Sequence, residues 1–483
     1  MRLNLGHFQG IKNDAVEWKT FSFDRGKGPM ELFVPQFTEN QLLILCKQVK
    51  QASQTYLKNM PVSHVVDIID TAISRLLDRS NPYRQQAEDI LPKITGYDPQ
   101  MIRLGLTNYL KIFRKAELNK FLLEDFSNPK ILDEIQPLQK GGYGRAYGPD
   151  LLFHIWAGNV PGLPLWSLIS GLLVKAGNIG KVSSSEPLMA SLFAKMISEI
   201  DPKLGDCIAI VFWKGGSNNL EDFLLNQADL VLAYGNNDTL KQVRDHTPIT
   251  TRCLTYGHKI SFGMISRAAL KTGKSWTTAH QAAYDIVRYD QQGCYSPQIF
   301  FVEQGGAVSP EQFAQFIARE LENFERKFPR RKLNTQEINN FVSWRQAEEL
   351  KAFSGEKRLI IAESESSWGV SYSDTVQELT PPGLNRTVQI FSVESLYEVT
   401  SIMQPYKNFL QTVGIAASPE ELMKLSDALG KIGVTRISAL GHMTTPEAGW
   451  HHDGRFNLLD LVSVLEVDRT AETAAEAFST YVD

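Results

Sequence analysis

Hydrophobic positions in the first third of the chain recur three and four residues apart. ENQLLILCKQVKQASQTYLKNM carries leucine and isoleucine at helical spacing, after an opening of short strands and turns. From Val62 to about Leu138 the pattern stays helical, through VVDIIDTAISRLLDRS, RQQAEDILPKI and MIRLGLTNYLKIFRKAELNKFLLEDF. GGYGRAYGPD (141–150) is punctuated by glycine and proline and predicts a loop.

Beyond that loop, short apolar runs alternate with helical stretches. LLFHIWAG, IGKVSSS, CIAIVFWKGG and DLVLAYGN read as buried strands, with PLWSLISGLLVKAG, EPLMASLFAKMISEI and NLEDFLLNQ as the helices between them. A second series follows: strands KISFGMIS, PQIFFVE, EKRLIIAES, TVQIFSV and TVGIAAS, with helices SWTTAHQAAYDIVRYD and SPEQFAQFIARELENFERKF. This alternation implies α/β architecture, built of βαβ units on parallel sheets with ligands at the carboxyl ends of the strands. The basic run FERKFPRRK reads as a solvated helix end, and DRTAETAAEAFSTYVD as a peripheral helix or frayed tail.

Length and composition narrow the class. A chain of 483 residues is long enough for two or three domains, and 43% hydrophobic with 22% charged residues is an ordinary globular balance. A net charge of −4 favours neither nucleic acid nor an anionic membrane as partner. The four cysteines are scattered without a CxxC pair, which argues against a disulfide framework and a structural zinc site. The start of the sequence lacks an apolar signal region, so a reducing cytoplasm is expected. Residues 155–174 are uncharged and long enough to span a bilayer, but the prolines, glycines and asparagine in them mark a loop between two elements, so no membrane span is expected.

Three segments could carry chemistry. In YDQQGCYSPQ, Cys294 follows a polar turn and precedes a strand, and Gly293 would let the chain turn sharply there. The thiol is either a nucleophile or a buried structural cysteine, and the residues alone lean to the second. In WAGNVPG, Asn159 at a strand end could donate to an oxyanion or close an Asx turn. In GNIGKVSSSEP, Lys181 and Glu186 could bracket a ribose, or Ser184 or Ser185 could cap the helix from Glu186, and no Gly-rich phosphate fingerprint occurs at a strand–helix junction. His451 and His452 are adjacent and lack a third ligand at suitable spacing, so they read as structural and no metal is expected.

Taken in order, these segments resemble the aldehyde dehydrogenase superfamily, most closely its LuxC-type acyl reductase branch. YDQQGCYSPQ resembles that branch's cysteine motif, WAGNVPG its Ala-Gly-Asn-Val-Pro loop, and KVSSSEP the Lys-Pro-Ser-Glu cofactor segment. ADLVLAYGNNDTL, LTYGHKISF and GWHHDGRFNLLDLV are similar to further superfamily stretches, in register from about residue 150 to 465.

The resemblance implies a fold of two doubly wound parallel-sheet domains with a helical N-terminal region. Its expected division is 1–140 as the helical part of the cofactor domain, 141–250 as the cofactor-binding domain, 251–440 as the catalytic domain, and 441–483 as a segment returning to the cofactor domain and oligomer interface. It makes Cys294 the nucleophile, Asn159 with the Cys294 N–H the oxyanion hole, and His246 in RDHTPIT a candidate for proton transfer against a capping role. Lys181, Ser183, Glu186, Gly235, Asn236, Thr255 and Glu378 are the implied cofactor contacts.

Thr255 stands where aldehyde-oxidising relatives carry a glutamate that activates water. A threonine is a poor base, so hydride takes precedence over hydrolysis. The implied activity is NADPH-dependent reduction of acyl-CoA or an acylated carrier protein to the aldehyde, with NADH as the other cofactor. The implied partners are an acyl-activating synthetase and further copies of the chain. The alternatives are a CoA-acylating aldehyde dehydrogenase working oxidatively, or a silent acyl-binding subunit, which would have no need of both Cys294 and Asn159.

Overall fold

The computed structural model describes residues 3–215, 218–271, 273–353, 358–362, 366–376, 379 and 382–480. Four helices, Val62–Leu77, Pro82–Thr95, Pro99–Lys111 and Lys115–Asp125, occupy the region of 3.6-residue periodicity. They start where side chains satisfy free backbone N–H groups: Asn81 accepts from Tyr83 N, and Asp98 from Gln100 N and Met101 N, each ahead of a proline at the first helical position.

The first parallel sheet contains β1 (Leu151–Ile155), β2 (Gly177–Lys181), β3 (Ile208–Val211), β4 (Leu230–Tyr234) and β5 (Arg252–Tyr256), in the order β5-β4-β1-β2-β3. All of its pairs are parallel, and the winding reverses between β1 and β4. A crevice opens at such a reversal, beyond the carboxyl ends of the strands. The uncharged stretch 155–174 divides as expected: a loop joins β1 to the buried ten-residue helix α1 (Pro164–Leu173). Among the described residues no helix is long and apolar enough to cross a membrane.

The second sheet contains β6 (Ile260–Ile265), β7 (Pro297–Glu303), β8 (Arg358–Ile361), β9 (Gly369–Ser373), β10 (Thr387–Val393), β11 (Leu410–Ala416) and β12 (Arg436–Ala439). Its order is β8-β9-β10-β7-β6-β11-β12, parallel except for β8 against β9. Here the structure corrects the expectation about ligand edges. Cys294 lies between a helix (Ser275–Val287) and β7, and a helix in a βαβ unit returns the chain to the amino end of the next strand. The second sheet therefore presents the amino ends of β6 and β7 to the crevice at the carboxyl ends of the first sheet.

Two further expectations fail. GGYGRAYGPD is no simple loop: Tyr143–Tyr147 is a strand pairing antiparallel with Ser463–Val467 near the chain's end. Its pairing partner lies more than 300 residues away, so local glycine content hid it. Within FERKFPRRK, Arg331 is buried and pairs with Glu337 and Asp290, while Arg330 lies over Phe341. That half of the basic run is internal scaffolding.

Candidate active site

Three consecutive residues ahead of the thiol, Tyr289, Asp290 and Gln291, adopt left-handed backbone with φ of 48°, 49° and 61°. Each non-glycine residue held there costs about 1–2 kcal/mol, so the surroundings must overdetermine the turn. Asp290 accepts from Arg386 Nε at 2.8 Å and from Arg331 N at 3.2 Å. Gln291 donates to the Pro297 and Thr387 carbonyls and accepts from the N–H groups of Arg386 and Thr387. The sharp turn thus belongs to Tyr-Asp-Gln, not to Gly293. Gly293 has a steric role: a Cβ there would lie 2.4 Å from the Tyr295 ring.

Cys294 emerges from this turn half-buried in a cleft of about 640 Å³ between the two sheets. Ser261 Oγ donates to its carbonyl at 2.8 Å. Gln411 Nε2 donates to Sγ at 3.2 Å and to Asp453 Oδ1 at 2.6 Å, and Asp453 Oδ2 lies 3.5 Å from Lys259 Nζ. Burial and then the Asp453 carboxylate push the thiol up to about 11, opposed by the Gln411 amide. At neutral pH the resting sulfur is therefore protonated, and attack on an electrophile requires a base.

His452 lies beside the thiol. Its Nε2 lies 3.9 Å from Cys294 Sγ, and the ring stacks on Tyr256 at 4.6 Å, with Tyr234 behind at 4.8 Å from Tyr256. Burial, aided by Lys259 and Arg455, lowers its affinity for a proton, against the Asp453 carboxylate. A neutral imidazole held beside a protonated thiol can accept its proton. From sequence alone His452 reads as structural, because a pair of adjacent histidines without a third ligand does not make a metal site. The usable signal was its place in the segment resembling the superfamily's closing Ser-Gly-Xaa-Gly-Arg stretch. Gln411, at a strand start remote in sequence, carries no local signal, whereas Lys259 stands in LTYGHKISF, one of the stretches similar to the superfamily.

Asn159 lines the same cleft, where Nδ2 donates to the Gln292 carbonyl at 2.5 Å, two residues from Cys294. Lys181, Ser183, Gly235 and Asn236 line its first-sheet side. Lys181 Nζ pairs with Glu221 at 2.5 Å beside the Trp213 ring, and the Ser183 and Ser185 hydroxyls lie 2.8 Å apart. Asn236 caps the ten-residue helix Asn237–His246, accepting from Thr239 N at 2.8 Å. That helix starts in the cleft behind Gly235, where a Cβ would find nothing nearer than 3.6 Å. An open helix start with a cation and hydroxyls beside it suits the diphosphate of a dinucleotide.

Other expected contacts are not brought together there. Glu186 is fully buried, with Oε1 accepting from Leu188 N and Met189 N, so it caps a helix. His246 sits at a helix end outside the cleft, 2.7 Å from Asp222 Oδ1, which fits the capping role and not proton transfer at Cys294. Thr255 lies in β5 next to Tyr256, and it is Tyr256 that lines the cleft. Glu378 lies outside the described residues.

Comparison with known proteins bears on this geometry. The sequence model of the acyl-CoA reductase (LuxC) family matches residues 57–464. The long-chain acyl-protein thioester reductase of Vibrio harveyi is 27% identical over 429 residues, covering 87% of this chain and 85% of the relative. Long-chain acyl-protein thioester reductase 2 of Photobacterium leiognathi is 25% identical over 467 residues, covering 95% and 93%. Among solved structures, the aldehyde dehydrogenase KauB from Pseudomonas aeruginosa superposes with a TM-score of 0.74 at 13% identity, covering 97% of each chain. An aldehyde dehydrogenase from Physcomitrella patens gives 0.73 at 11%, covering 97% and 98%. The fold is that of the aldehyde dehydrogenases.

Proposed function

The chain belongs to the acyl-CoA reductase (LuxC) family, and from that premise we propose that it reduces an acyl thioester, carried by CoA or by a protein, to the aldehyde through an acyl group on Cys294. The observation that carries this reading is the thiol held between the Gln411 amide and the His452 imidazole at the meeting edge of the two sheets. His452 takes the thiol proton, and the Gln411 N–H stabilises the thiolate that forms. Sγ attacks the acyl carbonyl, the new C–S bond forms, and the bond to the carrier sulfur breaks. The carrier leaves as a thiol, its proton returned by His452.

Asn159 turns its amide from the Gln292 carbonyl to the oxyanion of that step. Lys181, Ser183 and the helix start at Asn236 would hold a nicotinamide dinucleotide, with NADPH as the preferred form. When bound, it supplies the hydride that converts the acyl group to aldehyde.

Water is a poor competitor for the acyl group. Of the carboxylates closest to the cleft among the described residues, Glu337 is bound by Arg331, and Asp453 by Gln411 and Lys259. The named relatives are long-chain acyl-protein thioester reductases, which supports a protein-bound acyl donor. Incubation with acyl-CoA and NADPH, following aldehyde formation and intact mass, tests the reading. An acyl adduct on Cys294 and aldehyde are expected, and neither with any chain length would overturn it.

A further inference from the structure

The helical N-terminal region reaches the active site through Tyr97. The helix Pro82–Thr95 ends at Gly96, whose φ of 82° turns the chain, and Asp98 caps the next helix, Pro99–Lys111. Tyr97 stands between the two, 4% exposed, in the wall of the Cys294 cleft.

Its hydroxyl meets two carbonyls of the site at once. It donates to the Asn159 carbonyl at 2.8 Å and to the Tyr289 carbonyl at 3.2 Å. The first belongs to the loop after β1 of one sheet, the second to the turn that leads into β7 of the other. The ring is fixed as well. It packs edge-on against the Tyr289 ring at 5.4 Å, and the Arg331 guanidinium lies over it at 5.6 Å. A ring confined in this way sets a spacing between the two loops.

The loops differ in what else holds them. The Tyr289 carbonyl also accepts from Gln292 N at 2.9 Å, and Arg386, Thr387 and Arg331 brace the residues that follow. Among the described residues the Asn159 carbonyl accepts from Tyr97 alone. The other hydrogen bond of Asn159 is its amide's to the Gln292 carbonyl, which breaks when the amide turns to an oxyanion. From that moment the Tyr97 hydroxyl is what holds Asn159.

We infer that Tyr97 is a positioning residue, whose hydroxyl keeps the Asn159 loop at the distance from the Cys294 turn where the amide meets the oxyanion. The inference rests on the thioester reductase reading, in which Asn159 is the oxyanion donor. Without the hydroxyl, two carbonyl oxygens point into one space with no proton between them. The less braced loop, that of Asn159, then moves away and its amide no longer reaches the oxyanion.

The test follows acylation of Cys294 by p-nitrophenyl acetate, which forms an oxyanion and needs no cofactor. Alkylation by iodoacetamide is the control, because that displacement forms none. Tyr97→Phe keeps the ring and should slow acylation about tenfold to a hundredfold. Alkylation should stay within about twofold of wild type. In an Asn159→Ala background the same change should cost nothing further, because the hydroxyl acts through the amide already removed. Para-aminophenylalanine at position 97 retains a donor and should restore acylation. Thermal unfolding checks each fold, and if Tyr97→Phe does not fold, the aminophenylalanine variant decides by its rate. Wild-type acylation in Tyr97→Phe, equal slowing of alkylation, an equal loss in the Asn159→Ala background, or slow acylation with the retained donor overturns the inference. The expected pattern with no aldehyde from any acyl-CoA and NADPH would instead sink the reductase reading and leave the role of Tyr97 standing.

Discussion

Gln411 Nε2 donates to Cys294 Sγ at 3.2 Å, an amide from the start of one strand reaching the thiol that precedes another. The amide sits in a strand of the second sheet, and the thiol in the braced turn that leads into another strand of the same sheet. Gln411→Leu removes the donor while keeping the volume. A hydrogen bond to a charged group is worth about 1.5–3 kcal/mol, so thiolate formation should become roughly ten- to a hundredfold harder. Alkylation of Cys294 by iodoacetamide, followed against pH, is the readout. An unchanged profile would show that the amide serves only Asp453.

His452→Phe keeps an aromatic ring against Tyr256 and removes the nitrogen facing Sγ. Loss of a general base typically costs about 10²–10⁴-fold. Release of free CoA in the acylation burst should fall by that factor, with thermal stability close to wild type. A normal burst would remove His452 from the chemistry.

Asp290→Asn tests the turn that presents the thiol. Asp290 and Arg386 are both about 2% exposed, and breaking a buried pair leaves a charge uncompensated, at about 3–5 kcal/mol. The variant is expected to unfold at markedly lower temperature. Its remaining folded fraction should alkylate more slowly, because Tyr289 to Gln291 would relax from left-handed backbone. A variant with unchanged stability would mean that Gln291 alone holds the turn.

What was legible in the chain, and what was not, follows from where each partner lies. The βαβ alternation is a local pattern of apolar runs, and the strands of the first sheet could be read from it up to Tyr234. Arg252–Tyr256 escaped because it is a part-exposed edge strand bearing arginine and threonine. The helix Thr335–Phe353 buries few side chains among its described positions and shows weak amphipathic patterning. In the site, Cys294 and Asn159 stand in contiguous motifs and could be named. The proton acceptor, the amide donor and the Asp290–Arg386 pair join residues about 100 to 160 apart in sequence, a distance no local pattern encodes.

Asn159→Ala addresses the oxyanion. The side chain is exposed in the cleft and, among the described residues, hydrogen-bonded to the Gln292 carbonyl alone, so truncation should leave stability nearly unchanged. Removal of one oxyanion donor costs about 3–4 kcal/mol in the barrier, or roughly two to three orders of magnitude in turnover. Near-normal rates would remove Asn159 from the site.

Asp453→Asn isolates the electrostatic part of the thiol's environment. Asp453 sits at φ 55°, a conformation asparagine also tolerates, so the backbone need not move. Its carboxylate is the second cause, after burial, of the upward shift of Cys294 to about 11. A raised thiol pKa means that the reactive thiolate fraction grows with pH through that value, so wild-type alkylation should climb steadily above neutrality. Without the negative charge the thiolate is less disfavoured. The whole profile should then move to lower pH, by about one unit for each ~1.4 kcal/mol of repulsion removed. The same carboxylate orients the Gln411 amide, and losing that orientation would act in the opposite sense. An acid-side shift therefore identifies Asp453 as a charge that restrains the nucleophile. An alkaline-side shift would identify it as the anchor of the thiolate's hydrogen-bond donor.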